Sequence, residues 1–147
     1  MEFIIAAYGA TITKEELNEM LDLFQIKSFY KNNASSLSGG QSQRLNILLA
    51  LMHKPKVVFL DELSTGLDIT TRNSIKVFIK NYTKKHGMTV VLVSHDVSEI
   101  IYLCDRILVY REGTIVSDRM IKEFNNDVPK LEEFISNMIK NKPEKID

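Results

Sequence analysis

Four short stretches hold residues whose types and spacing suit chemistry on a phosphate. Asp61 and Glu62 end the apolar run Val57-Val58-Phe59-Leu60. An acid at the C-terminal edge of a buried parallel strand lies in the usual ligand crevice of such sheets. There Asp61 suits Mg²⁺, directly or through water, and Glu62 suits polarising an attacking water. Taken alone, the pair reads equally as a helix cap or as two solvated acids. Ser38-Gly39-Gly40-Gln41 stands immediately before a helical pattern. Glycines let a backbone approach a ligand, and the first N–H groups of a helix are unpaired at its positive end, which suits an anion. In isolation, a loop with Ser38 as an ordinary helix cap is the commoner meaning. His95 follows the run Thr89–Ser94, where it suits sensing or stabilising a transferring phosphoryl group, although a lone histidine is more often a capping or packing residue. Thr65-Gly66-Leu67-Asp68 is a turn into a helix, with Asp68 as its N-cap. His53 and His86 lie at helix ends near lysines, and Cys104 lies on an apolar stripe and reads as core.

The elements that must hold these residues follow from periodicity. Thr13 and Glu16 form a capping box ahead of the helical stripe Leu17, Met20, Leu21 and Phe24. Residues 31–40 read as a loop. Leu45, Leu48, Leu49 and Met52 mark a second helix, stopped by Pro55. Val57–Asp61 and Thr89–Ser94 are continuous and rich in β-branched residues, so both are expected as buried strands. Between them Ile75, Phe78, Ile79 and Tyr82 mark a helix closed by Gly87. Asp96 and Glu99 suit the first turn of a helix with the stripe Val97, Ile100, Ile101 and Cys104. Arg106–Tyr110 and Thr114–Ser117 flank a hairpin turn, and Pro129 opens a helix with the stripe Leu131, Phe134, Ile135 and Met138. The order strand, helix, strand, helix, strand predicts an α/β fold with a parallel sheet. The tail after Lys140 is expected to fray.

Composition narrows the function classes. The 147 residues are 44% hydrophobic and 26% charged, within the globular range. Nineteen basic and nineteen acidic residues give a net charge of zero, which argues against nucleic-acid binding through bulk charge. One cysteine excludes an internal disulfide and a cysteine-based zinc cluster. No apolar run reaches the about 18 residues of a membrane-spanning helix, and no secretory leader is expected at Met1-Glu2. Work at a membrane would need another chain.

Together the stretches resemble the ATP-binding subunits of ABC transporters. Leu37-Ser38-Gly39-Gly40-Gln41 resembles the family's signature motif, Val57–Glu62 its Walker B motif with catalytic glutamate, Thr65–Asp68 its D-loop, and Val93–Asp96 its switch-histidine loop. They come in the family's order over roughly residues 1–120. The resemblance implies the C-terminal part of a P-loop NTPase domain of ABC type, a parallel sheet core with part of the helical signature subdomain. It implies residues 1–54 as helical subdomain, 55–120 as catalytic core and 121–147 as C-terminal helix and tail. It also implies ATP with Mg²⁺: Ser38, Gly39, Gly40 and Gln41 touching ATP held on the opposite subunit, Asp61 helping to hold Mg²⁺, Glu62 orienting water, His95 touching the γ-phosphate and Asp68 connecting the two sites. The implied partners are a membrane-spanning transporter subunit and a second nucleotide-binding domain or P-loop-bearing chain, at a cytoplasmic location peripheral to the membrane. The motif order and the Gly66-Leu67-Asp68 turn look most like exporters.

The sequence departs from that pattern in three places. None of the six glycines is followed by lysine, so no G-x-x-x-x-G-K-[ST] loop is present. The expectation is therefore a half-domain beginning inside the helical subdomain, with Glu2–Gly9 as a helix there and with negligible ATP hydrolysis by itself. Leu63 and Ile69 stand where the family often has proline, with altered loop stiffness expected. Two other readings compete. One is a non-catalytic half-domain that regulates or docks on a partner, which would not need both Glu62 and His95. The other is the C-terminal half of a chromosome-maintenance or repair ATPase head, which would follow heptads that residues 1–36 do not show.

Overall fold

The computed structural model describes residues 12–63 and 65–140. The expected helix over Glu2–Gly9 and the tail after Lys140 lie outside them. Contacts divide the chain into two units, Met1–Val93 and Ser94–Asp147.

Among the described residues, the first helix of the first unit is α1 (Lys14–Leu23). Its capping box forms as expected: the Glu16 N–H donates to Thr13 Oγ1 at 3.1 Å, and Glu16 Oε2 accepts from the Thr13 N–H at 3.2 Å. Met20, Leu21 and Phe24 are buried from its stripe. Gln25 then takes a left-handed conformation (φ 52°) and turns the chain into a short 3₁₀ turn, Ile26–Ser28. α2 (Gly39–Met52) follows Ser38. Its buried residues are Ile47, Leu48, Leu51 and Met52, so the expected stripe through Leu45 and Leu49 is rotated; those two leucines are half-buried on the flank. Apolar residues surround much of this helix, and periodicity alone does not choose the buried side.

β1 (Val57–Asp61) and β2 (Thr89–Val93) pair in parallel, with Phe59 opposite Val91 and Asp61 opposite Val93. α3 (Ile69–Lys85) connects them, ending at His86 and at Gly87 in the left-handed region (φ 61°). Neither strand is buried on both faces. Val58 and Leu60 point into the core, while Val57, Phe59, Val91 and Val93 are exposed. The continuous apolar runs led to the expectation of two buried faces; among the described residues only one is covered. Leu63 is not merely a stiffness change: its side chain is almost wholly buried and belongs to the core.

The second unit begins with α4 (Val97–Leu103), capped by Asp96. β3 (Arg106–Arg111) and β4 (Thr114–Met120) form the expected hairpin around Glu112 (φ 48°) and Gly113 (φ 79°), both left-handed as a tight two-residue turn requires. β3 pairs antiparallel with β4 and does not extend the parallel pair, so the third strand expected in the parallel sheet belongs to a separate ribbon. A 3₁₀ turn (Ile121–Phe124) leads to α5 (Val128–Lys140). Ile107, Val109, Ile121, Phe124 and Leu131 form this unit's core, with Cys104 packed against them as expected. Burial pushes the Cys104 thiol up to about 11, which keeps it protonated and inert at neutral pH.

Candidate functional site

In the first unit the four-residue loop Ser38–Gln41 begins α2. Ser38 Oγ accepts from the Gln41 N–H at 3.3 Å, and Gln41 Oε1 accepts from the Ser38 N–H at 2.9 Å. This reciprocal cap fixes the entry of the chain into the helix. Ser38 and Gly39 are exposed, so the positive end of the helix faces outward. A cavity of about 340 Å³ lies beside Asp61, lined by residues of α2 and β1 such as Gln43, Asn46 and Phe59.

The same loop touches the Thr65–Asp68 turn through backbone. A Cβ on Gly40 would sit 2.3 Å from the Gly66 carbonyl oxygen, and a Cβ on Gly66 would sit 3.2 Å from the Gly40 nitrogen. Gly66 is also left-handed (φ 72°). Both glycines are therefore required by a contact that leaves no room for side chains.

Asp61 ends β1 with its side chain exposed. Glu62 comes next in a left-handed conformation (φ 46°), uncommon for a residue with a side chain. Three bonds hold it. Its N–H donates to the Val93 carbonyl at 2.9 Å, its carbonyl accepts from Gln43 Nε2 at 3.1 Å, and its Oε2 accepts from the Thr65 hydroxyl at 3.0 Å. Gln43 also donates to the Asp61 carbonyl at 3.3 Å. The end of the strand is thus fastened to the helix that the Ser38–Gln41 loop begins.

Asp68 caps α3, accepting from the Thr71 N–H at 2.9 Å. The Thr71 hydroxyl and amide, both hydrogen-bonded to it, hold its carboxyl below the usual carboxylate range.

His95 belongs to the second unit and is exposed between two pinned neighbours. The Asp96 N–H donates to Ser94 Oγ at 3.0 Å, and Ser94 Oγ donates to Glu99 Oε2 at 2.9 Å. Asp96 Oδ1 in turn accepts from the N–H groups of Ser98 and Glu99. Glu99, almost wholly buried, anchors the turn that presents His95.

The structure brings the Ser38–Gln41 loop, the Asp61–Glu62 strand end and the Asp68 turn together in the first unit. Sequence reasoning missed the residues that fasten them: Gln25, Gln43, Arg44, Thr65 as a partner of Glu62, and Glu99 behind His95. Thr65 had a signal, a hydroxyl three residues after an acid. Arg44 and Glu99 bond within five residues of the motif positions Gly40 and Ser94, whereas Gln25 and Gln43 had no signal that is local in the chain.

The sequence profile of the ABC transporter family matches residues 5–65. The chain is 38% identical over 140 residues to the spermidine/putrescine import ATP-binding protein PotA of Clostridium acetobutylicum, covering 90% of this chain and 39% of that protein. It is 40% identical over 108 residues to the aliphatic sulfonates import ATP-binding protein SsuB of Yersinia pestis, covering 74% of this chain and 40% of that protein. The chain thus spans about two-fifths of the length of these curated relatives. Among solved structures it superposes on the ATP-binding cassette MJ0796, a dimer in a post-hydrolysis state bound to ADP and Pi, with a TM-score of 0.65 and 27% identity over 80% of this chain and 53% of that one. The fold is that of an ABC-type P-loop NTPase, and the chain belongs to the ABC transporter family, in its nucleotide-binding domain.

Proposed function

We propose that the chain is the part of an ABC transporter's ATP-binding subunit that presents the signature loop and the hydrolytic acid. In this reading Ser38, Gly39, Gly40 and Gln41 contact ATP held by another nucleotide-binding domain, with Asp68 linking the two sites. Glu62 orients the attacking water and His95 contacts the γ-phosphate. Glu62 carries the proposal: a left-handed acid at the end of a parallel strand, with its carboxylate steered by Thr65 and its carbonyl fastened by Gln43. Backbone strain of this kind persists where the surroundings over-determine it, and it gathers at active sites.

Asp61 fits the Mg²⁺ that accompanies ATP. It is an exposed hard oxygen donor, and no group of three or more metal-ligating side chains occurs among the described residues. A cation there would complete its shell with waters and phosphate oxygens, as Mg²⁺ does. Bound with the nucleotide, Mg²⁺ supplies neutralisation of phosphate charge.

The proposed partners are a membrane-spanning subunit and a P-loop-bearing nucleotide-binding domain, joined to this sequence or separate from it, with the assembly on the cytoplasmic face. No described helix is long and apolar enough to cross a membrane. The relatives named above carry import in their names. The exporter direction expected from the motif order and the Gly66-Leu67-Asp68 turn finds no support there, and the proposal names neither direction nor cargo.

The 147-residue polypeptide, without a G-x-x-x-x-G-K-[ST] loop, is expected to turn over MgATP negligibly. Affinity capture from the source cell should recover a P-loop-bearing partner or reveal a longer chain, and that assembly should hydrolyse MgATP. Glu62→Gln should lower its turnover by about 10²-fold or more while leaving ATP binding intact. Turnover unchanged by Glu62→Gln would overturn the role given to this acid.

A further inference from the structure

Four hydrogen bonds through Arg44, Gln25 and Thr71 run from the Ser38–Gln41 loop to Asp68, beside the backbone contact of Gly40 with Gly66. Arg44 Nε donates to the Gly40 carbonyl at 3.3 Å. Arg44 Nη1 donates to Gln25 Oε1 at 2.8 Å. Gln25 Nε2 donates to Thr71 Oγ1 at 3.3 Å. Thr71 in turn donates its N–H to Asp68 Oδ1 at 2.9 Å. Phe29 lies under the Arg44 guanidinium, 5.4 Å from ring centroid to Cζ, and Thr71 is buried, while Gln25 between them is exposed.

Gln25 is the link with no other evident reason to be glutamine. Its backbone is left-handed (φ 52°), a conformation that glycine adopts without cost. Its amide has a donor side and an acceptor side, and each is used on a different element: Thr71 on α3 and Arg44 on α2. A carboxylate would lose the donor and a glycine both. From Arg44 the donors run through Gln25 and Thr71 to Asp68, while the other edge of the same guanidinium donates to the Gly40 carbonyl, so Arg44 is the group that both arms share.

We propose that Gln25 is a positioning residue that couples the Asp68 turn to the Ser38–Gln41 loop, so that a displacement of one is passed to the other through Thr71 and Arg44. The meaning of this coupling for ATP rests on the proposed function; the coupling itself does not. It would let the segment linking two nucleotide sites set the position of the loop that caps the nucleotide.

The test uses the full chain without nucleotide, reading amide exchange by NMR at Gln41 and Ser42 and the titration of the Asp68 carboxyl. Gln25→Gly removes the bridge and suits the left-handed backbone, so the fold is retained. Thr71→Val, close in shape, breaks the relay at its far end. Both should accelerate exchange at Gln41 and Ser42 by about fivefold, the loss of one ordinary hydrogen bond, and the double variant should add little to either. Gln25→Gly should also raise the Asp68 pKa, which a merely structural role for Gln25 would leave in place. Unchanged exchange at Gln41 and Ser42 in both variants would overturn the proposal, as would a response to Gln25→Gly with none to Thr71→Val. MgATP binding by the captured assembly is scored separately. Its absence would sink the functional reading and leave the exchange result standing.

Discussion

Two adjacent glycines in one loop meet different surroundings. Gly40 faces the Gly66 carbonyl so closely that a Cβ would lie 2.3 Å from it, whereas a Cβ on Gly39 would meet nothing within 4 Å. Gly40→Ala must therefore push backbone against backbone and is expected to cost about 1–3 kcal/mol, the range of overpacked sites. Gly39→Ala, in the first turn of α2, is expected to be neutral or to stabilise by about 0.5–1 kcal/mol. Urea midpoints of the two variants check this, and equal midpoints would refute the tight contact. At this scale the sequence singles out Ser38, Asp61, Glu62, Asp68 and His95 as candidates because motif residues are neighbours in the chain, and it hides the long-range bonds around them. Gln25 meets Thr71 across 46 positions and Gln43 meets Glu62 across 19, and no local pattern marks such pairs.

At the scale of elements, Glu16 gathers three helix ends. It reaches Lys54 Nζ beyond α2 at 2.7 Å, Lys85 Nζ at the end of α3 at 3.8 Å and His86 Nε2 at 3.6 Å. The bond from Lys54 holds the Glu16 carboxyl below the usual range, and burial holds His86 below its own, with Lys54 adding to it and the Tyr82 ring 4.4 Å away. Both groups have depressed values in the folded chain, so both stabilise it above their unfolded values. As pH falls, His86 withdraws stability first, below about 6.5, and Glu16 follows below about 4.3. Glu16→Gln should flatten the second limb and deepen the first, since the Glu16 charge favours protonated His86. Urea midpoints from about pH 3 to about pH 8 test this, and an unchanged acid limb in Glu16→Gln would refute it. Caps made these helices easy to place: Thr13, Ser38, Asp68 and Asp96 all begin helices where the sequence set them. The buried side of α2 was not legible, because which leucines are covered depends on neighbours that its own pattern does not name.

For the molecule as a whole, the parallel pair of β1 and β2 sets the hazard. Parallel strands are ordinarily covered on both faces, and two strands alone are marginal. Here Val58 and Leu60 rest on the core, while Phe59 is 75% exposed and Val93 59% exposed on the other face, with Val57 and Val91 beside them. Among the described residues each strand has one strand neighbour, which leaves an edge with unpaired ladder groups. The polypeptide by itself therefore offers both an apolar patch and a pairing template, the combination that drives association. It should self-associate reversibly or precipitate as its concentration rises. Phe59→Lys should suppress this without loss of fold, because the side chain points away from the core. Val91→Lys, opposite it in register, should do the same from the other strand. Sedimentation velocity over a concentration series reads the outcome. A polypeptide that stays monomeric throughout would show that the exposed face is not an adhesive one. Self-association equally strong in both lysine variants would place the sticky surface elsewhere.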